Sequence, residues 1–293
     1  MNVRTQVRDA FNFSVKKLPL SGPNGTPTPW YALFRSDTME VVSGSSVTSR
    51  YVPHQTEDVL TLVDAAAEAF GNNVTCQCYF YNGHYVSIQP TQHERLKVFG
   101  EHDYVWPRLV IKASYENRAF SATMGYYRDL CRNLAMLKQV HGTNMSIRHI
   151  TGLQDNMVSL ISTFSGLKAS WANLSDVILR LQDVEVRMDD FLSSIYPEPD
   201  MDAGTRAFTY HENRNGAILD RLNRERYHSY RPPVTQENSF KVSAWEAFNA
   251  VQGYVQHSTR QKKGFRSELN RALKASNDAT VQKAERLVMS LAA

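Results

Sequence analysis

Apolar residues recur along this chain in two rhythms, and the change between them near residue 150 divides it. Before that point they alternate with polar ones over short runs bounded by turn residues, the signature of half-buried strands. Residues 30–35 and 39–43 read as strands around the turn Ser36-Asp37-Thr38, and residues 47–52 as a third, ended by Pro53. Residues 74–81 alternate and are rich in aromatics. Asn82-Gly83 then supplies two residues that tolerate positive φ, and residues 84–89 return, which predicts a two-residue β-hairpin. Residues 104–113 and 119–124 read as two more strands on either side of a turn at Tyr115-Glu116-Asn117-Arg118. Residues 1–29 are an N-terminal segment closed by a Gly/Pro-rich loop.

Two helices interrupt the strands. Over residues 57–70, Val59, Leu62, Val63, Ala66, Ala67 and Phe70 form one apolar stripe, with Thr56 as the expected N-cap and Gly71 as the stop. A second helix is expected over residues 126–139.

After residue 150 the apolar spacing becomes three and four. Met157, Leu160, Phe164, Leu167, Trp171, Leu174, Ile178, Leu181, Val184, Met188, Phe191 and Ile195 mark a long amphipathic helix over about 153–195, or two helices joined near Gly166. Such a stripe ordinarily packs against the rest of its own protein; a self-association seam is the alternative. Residues 197–200 break the pattern. Helices follow over 205–226, 245–256 and 263–291. The expected fold class is therefore α+β: a mostly antiparallel N-terminal sheet with packed helices over 30–150, then a mainly helical half over 151–293.

Composition narrows the function classes. With 293 residues, 42% hydrophobic and 21% charged, the chain has ample material for a core. Its three cysteines, Cys76, Cys78 and Cys131, lack a disulfide framework and suit reduced thiols in a cytoplasm. The first ten residues have no apolar signal region, and no apolar run approaches the ~18 residues that span a bilayer. A cytoplasmic protein without a membrane partner is expected.

Candidate chemistry is sparse. Cys76, Cys78, His84, His93 and His102 fall within 27 residues but lack the paired spacing of a zinc site, so no metal is assigned. Cys131 has no base placed beside it by the sequence, and Asp189-Asp190 point in different directions on a helix, while Glu198, Asp200 and Asp202 sit in a linker. No Walker loop or Gly-rich dinucleotide motif occurs, so neither a cofactor nor a catalytic residue is assigned.

Three segments carry a resemblance. The first is Arg35-Ser36-Asp37 followed by Arg50-Tyr51-Val52-Pro53-His54-Gln55. The second is Arg128, Cys131 and Asn133 with Arg148-His149 after them. The third is Asn249-Ala250-Val251 with Tyr254 and His257. Together they resemble the phage/plasmid-like family called domain of unknown function 932, across roughly residues 30 to 275. Two departures are Leu134, where the family usually has Thr, and Tyr115-Glu116-Asn117, where it often has His-Asp-Gly. The resemblance implies a phage or mobile-element setting and no established chemistry. In outline, the order helix, hairpin, strands, helix is also similar to the annealing core of the RecT, Redβ and Erf type of phage protein, an analogy of element order alone.

Charge supplies the functional expectation. The net charge is only +4, but residues 108–138 hold six basic and two acidic residues, residues 260–274 six and one, and residues 155–202 three and nine. Arg108, Lys112, Arg118, Arg128, Arg132 and Lys138 stand among aromatics, as in proteins that neutralise phosphates and stack bases of a single strand, and Arg148 is a further candidate for phosphate contact. Lys262, Lys263 and Arg266 form a second patch. The leading expectation is an oligomeric, non-enzymatic protein that binds single-stranded DNA, of annealing or recombination type. The alternatives are a counter-defence protein that binds a host factor through the acidic stretch, and a metal-dependent nuclease.

Overall fold

The structure, a computed structural model, describes residues 2–91, 95–99, 102–116, 120–131, 133–136, 144–147, 153–258 and 265–292. Its elements run α1 (Val3–Ala10), β1 (Val15–Ser21), a short 3-10 turn, β2 (Pro27–Arg35), α2 (Thr56–Ala69), β3 (Val74–Phe80), β4 (Gly83–Pro90) and β5 (Leu96–Lys97). Then come β6 (Tyr104–Ser114), β7 (Phe120–Arg128), β8 (Asn133–Met136), β9 (Asn144–Ile147), α3 (Leu153–Phe164) and α4 (Leu167–Asp183). The chain closes with β10 (Glu185–Arg187), α5 (Met188–Ile195), α6 (Thr205–His228), β11 (Lys241–Ser243), α7 (Ala244–His257), α8 (Phe265–Asn277) and α9 (Ala279–Ala292). The fold is α+β, with an antiparallel sheet in the N-terminal half and helices in the C-terminal half.

The main sheet has strand order β3-β4-β6-β7-β8, with β5 on β6 and β9 on β7. Two compact units divide the chain: residues 1–94, 107–125 and 142–170 form the first, and residues 95–106, 126–141 and 171–293 the second.

In the first unit, alternation along the strands puts Cys76, Val86, Ile88, Leu109 and Ile111 on one buried face, where α1 contacts β3 and α2 contacts β4. The stripe of α2 is buried at Val59, Leu62, Val63 and Ala66. A separate hairpin pairs β1 with β2 antiparallel, from Val15↔Arg35 to Ser21↔Pro27.

In the second unit, α7 is the central element. It is buried around its whole circumference, including Asn249, Gln252 and Gln256, and α6, α8, α9 and β8 pack on it. A helix so enclosed must satisfy its polar side chains internally. Its start is fixed by a capping box between Ser243 and Glu246.

Several expected boundaries are corrected. The N-terminal segment contains α1 and β1. The strand expected over 47–52 is a single bridge, Val47 to Tyr31, and that over 39–43 a bridge from Val41 to Phe34. The helix expected over 126–139 is absent from its described part: β7 continues to Arg128 and β8 occupies Asn133–Met136. The 153–195 stretch parts beside Gly166, as the two-helix alternative expects, but it breaks again at the short strand β10. The last helix is two, separated at Asp278, whose Oδ1 accepts from the Thr280 N–H at 2.8 Å. The N-cap of α2 is Gln55, not Thr56, and its backbone N–H donates to Asp58 Oδ2 at 2.7 Å. The hairpin turn spans three residues, because Phe80 pairs with His84 and Gly83 already pairs with Ser114 of β6.

Candidate functional site

The described residues of the three sequence segments gather in two places, one in each unit. In the first unit they form a polar clamp. Gln55 Oε1 accepts from the Val15 N–H at 2.9 Å and its Nε2 donates to the Val15 carbonyl at 3.1 Å, so one side chain completes the β1 ladder. The Tyr51 hydroxyl donates to the Tyr115 carbonyl, and the Tyr115 hydroxyl donates to the His54 carbonyl, both at 3.0 Å. The Arg35 guanidinium grips Asp37 at 2.6 Å and lies 4.1 Å over the Phe13 ring. That ion pair holds the Asp37 carboxyl down at about 2. Arg50 is exposed.

Beneath the clamp lie two buried imidazoles, with His54 Nε2 3.0 Å from His84 Nδ1. The His54 ring stacks on Tyr115 at 4.1 Å, and Phe11, Phe13 and Phe80 surround His84. Burial, aided by the Arg35 charge, lowers His84 to about 3, so it is neutral at physiological pH. Nothing in the sequence couples this pair. Two histidines thirty residues apart leave no spacing signal.

On the opposite sheet face stand Arg108 and Lys112. Tyr79 and Tyr85 stack there at 4.6 Å, with Lys112 Nζ 5.4 Å above the Tyr85 ring. Arg108 is only 8% exposed. Its guanidinium donates to Ser87 Oγ at 3.1 Å and to the side-chain oxygens of Gln77 and Gln89. Lys112 is partly exposed on this face, whereas Arg108 is spent on internal hydrogen bonds.

In the second unit the Arg128 segment and the α7 segment meet in one buried network. Arg128 pairs with Asp103 at 2.6 Å and with Glu225 at 2.9 Å, its side chain 3% exposed. The role expected for it in phosphate contact is corrected: two interior carboxylates already neutralise it, and no solvent-facing surface remains. Burial raises the Glu225 carboxyl, with Arg128 and Arg221 opposing that rise. Arg221 Nε lies 3.3 Å from Glu225 Oε1 as an ion pair, and the Arg221 guanidinium donates to Asn133 Oδ1 at 3.1 Å. His257 Nε2 lies 3.2 Å from the same oxygen, and Asn133 Nδ2 donates to the Asn249 carbonyl at 3.2 Å. Asn249 Oδ1 in turn accepts from the Tyr126 hydroxyl at 3.1 Å. Gly253 makes room for this: a Cβ there would sit 2.9 Å from Arg221 Cζ.

Such a network orients its own side chains. Burial pushes the Cys131 thiol up to about 12 and lowers His257 to about 4, so neither a thiolate nor an imidazolium is available near neutral pH. Asp189 and Asp190 are both held by Arg187, and no group of three or more metal-ligating side chains occurs among the described residues.

Tyr254, one residue past Gly253, turns instead to a cavity of about 410 Å³. Tyr196, Tyr210, Arg214, Arg271 and Lys274 line it with Tyr254. The Arg214 guanidinium stacks 3.8 Å over the Tyr196 ring. Among the described residues neither Arg271 nor Lys274 has a carboxylate partner, and Arg271 Nε is shielded from solvent without a hydrogen-bond acceptor. The one carboxylate at the wall, Asp278, caps α9. The cavity thus offers three cations and three flat rings against one engaged acid. Tyr254 was legible as a motif residue. Its companions come from α5 through α9 and shared no pattern in the sequence.

Arg118, Arg132, Lys138, Arg148, His149, Lys262 and Lys263 lie outside the described residues, as does the side chain of Arg266. A family model described as "Domain of unknown function (DUF932)" matches residues 44–288. No curated protein and no solved structure matches the chain.

Proposed function

Since the chain belongs to this DUF932 family, whose description assigns no chemistry, we propose from the site itself that the protein binds single-stranded DNA. The cavity of the helical unit takes a nucleotide of the strand. The observation that carries this reading is the pairing of cations that have no carboxylate partner among the described residues with tyrosine rings in one concavity. Phosphate recognition asks for such cations and base stacking for such rings. A volume of about 410 Å³ falls within the range of small-molecule sites, ~300–1,000 Å³. The sheet face bearing Lys112 and the Tyr79–Tyr85 stack offers a second surface of the same chemistry.

The polar network behind α7 supports the reading indirectly. It fixes α7 through Asn133, Asn249 and Arg221, and so fixes where Tyr254 stands. Catalysis is not part of the proposal: its protein acts by binding, as an oligomer of the annealing or recombination kind, in the phage or plasmid setting that the sequence resemblance suggests.

Fluorescence anisotropy of a labelled oligothymidylate at low salt tests the idea. Wild type should bind, and Tyr254→Ala or Arg271→Ala should each weaken binding by roughly tenfold, the worth of ~1–3 kcal/mol for one stacked base. Absence of binding at low salt, or unchanged affinity in both variants, overturns it. Light scattering with and without the oligonucleotide reads the assembly state, and a monomer under both conditions removes the oligomer from the proposal.

A further inference from the structure

Cys76 and Cys78 lie on the edge strand β3, and the function proposed above does not use them. Their side chains share the sheet face that carries α1, because residues two apart on a strand point the same way. The sulfurs are 3.9 Å apart. Cys76 is buried and Cys78 half-buried, so one thiol of the pair is within reach of a small solute.

A second observation ties the pair to α1. The Cys76 thiol donates to Gln6 Oε1 at 3.2 Å, and Gln6 Nε2 donates back to the Cys76 carbonyl at 3.2 Å. Gln6 therefore pins the inner cysteine from both sides and holds its sulfur toward its neighbour.

We propose that Cys76 and Cys78 form a reversible dithiol–disulfide couple, a modification site that hydrogen peroxide oxidises. One sulfur, as thiolate, attacks a peroxide oxygen. The O–O bond breaks, and the hydroxide released leaves as water with the proton of that thiol. The second sulfur then attacks the resulting sulfenic acid and forms the S–S bond. It expels hydroxide, which takes up the second thiol proton as water. Two S–H bonds and one O–O bond are replaced by one S–S bond and two new O–H bonds, and the peroxide leaves as two waters.

Geometry sets the character of the bond. Two steps along a strand span about 6.7 Å, near the upper end of the ~4.4–6.8 Å that a disulfide bridges. Closing it must shorten and bend the edge strand, which makes a bridge that thiols reduce easily. Oxidation also takes the thiol donor away from Gln6, so the change is transmitted to α1.

The test uses the full chain. The folded protein is exposed to hydrogen peroxide, quenched, denatured and alkylated with iodoacetamide, and its peptides are weighed. Of three free cysteines, two should become unavailable, both in the peptide spanning 76–78, and dithiothreitol should restore them. Cys131 stays alkylatable and serves as the internal control. The proposal is overturned if all three thiols remain alkylatable, if Cys78 passes to sulfinic acid without a bridge, or if bridges form only between chains.

Discussion

At the scale of single residues, the family motif spends most of its polar atoms on the protein itself. Gln55 completes a strand ladder, and Tyr51 holds a carbonyl. Arg128 neutralises Asp103 and Glu225, while Asn133 binds α7. Their identities were legible in the sequence; their partners were not, because Asp103 and Glu225 stand in no motif and meet Arg128 only through the fold. Two histidines give this burial a pH signature. His84 is lowered to about 3 and His257 to about 4, each from an ordinary value of 6.5. Between those values the unfolded chain binds protons that the folded chain refuses, so stability falls as pH drops below 6.5. Each full proton of difference adds about 1.4 kcal/mol per pH unit to the slope. Urea midpoints should therefore fall steadily from pH 7 to pH 5. His84→Phe should fall less steeply over that interval, whatever its stability at pH 7. A wild-type midpoint flat from pH 7 to pH 5 would show that the folded protein accepts these protons.

At the scale of elements, the sequence read well where one face had to be apolar. The stripe of α2 and the alternation of β3, β4 and β6 follow from burial against each other. It read poorly where burial was one-sided or polar. The hairpin strand β1 has the sequence Val-Lys-Lys-Leu-Pro-Leu-Ser, with only Val15 buried, so no alternating apolar signal marks it. Residues 126–128 read locally as a helix start, yet Tyr126, Tyr127 and Arg128 extend β7: bulky aromatics favour the pleated surface, and local propensity yields to tertiary pairing. The Asn82-Gly83 signal named the right place but the wrong turn, and the reason makes a prediction. Gly83 pairs with Ser114, and a Cβ there would lie 2.7 Å from Ser114 Cα and closer still to the Ala113 carbonyl oxygen. Both obstacles are backbone of β6 and cannot rotate away. Gly83→Ala should cost about 2–3 kcal/mol, seen as a lower urea midpoint at unchanged m. Asn82→Gly, at a left-handed position with φ 49°, should stay within about 0.5 kcal/mol, since glycine adopts that conformation freely. Equal costs for the two substitutions would contradict the register.

At the scale of the whole molecule, charge decides less by its total than by which cations are free of partners. A net charge of +4 promises little, and of the basic residues singled out in the sequence Arg108 and Arg128 prove to be engaged inside the protein. The cavity cations Arg214, Arg271 and Lys274 have no carboxylate partner among the described residues. If the strand is held there, the salt dependence of binding counts them. Each phosphate neutralised on a single strand contributes about −0.7 to the slope of log K against log salt, so three contacts give about −2. Measured by anisotropy from ~50 to ~200 mM salt, the wild-type slope should lie near that value. Arg271→Ala with Lys274→Ala should bring it to about −0.7. Removing Arg128 should leave the slope unchanged in whatever fraction of the variant still folds, because its charge is already cancelled within the protein. A slope several-fold steeper would place the strand on a wider surface than this cavity. A slope that survives loss of Arg271 and Lys274 would show that the cavity does not hold phosphate, and a flat wild-type slope would remove phosphate contact from the function altogether.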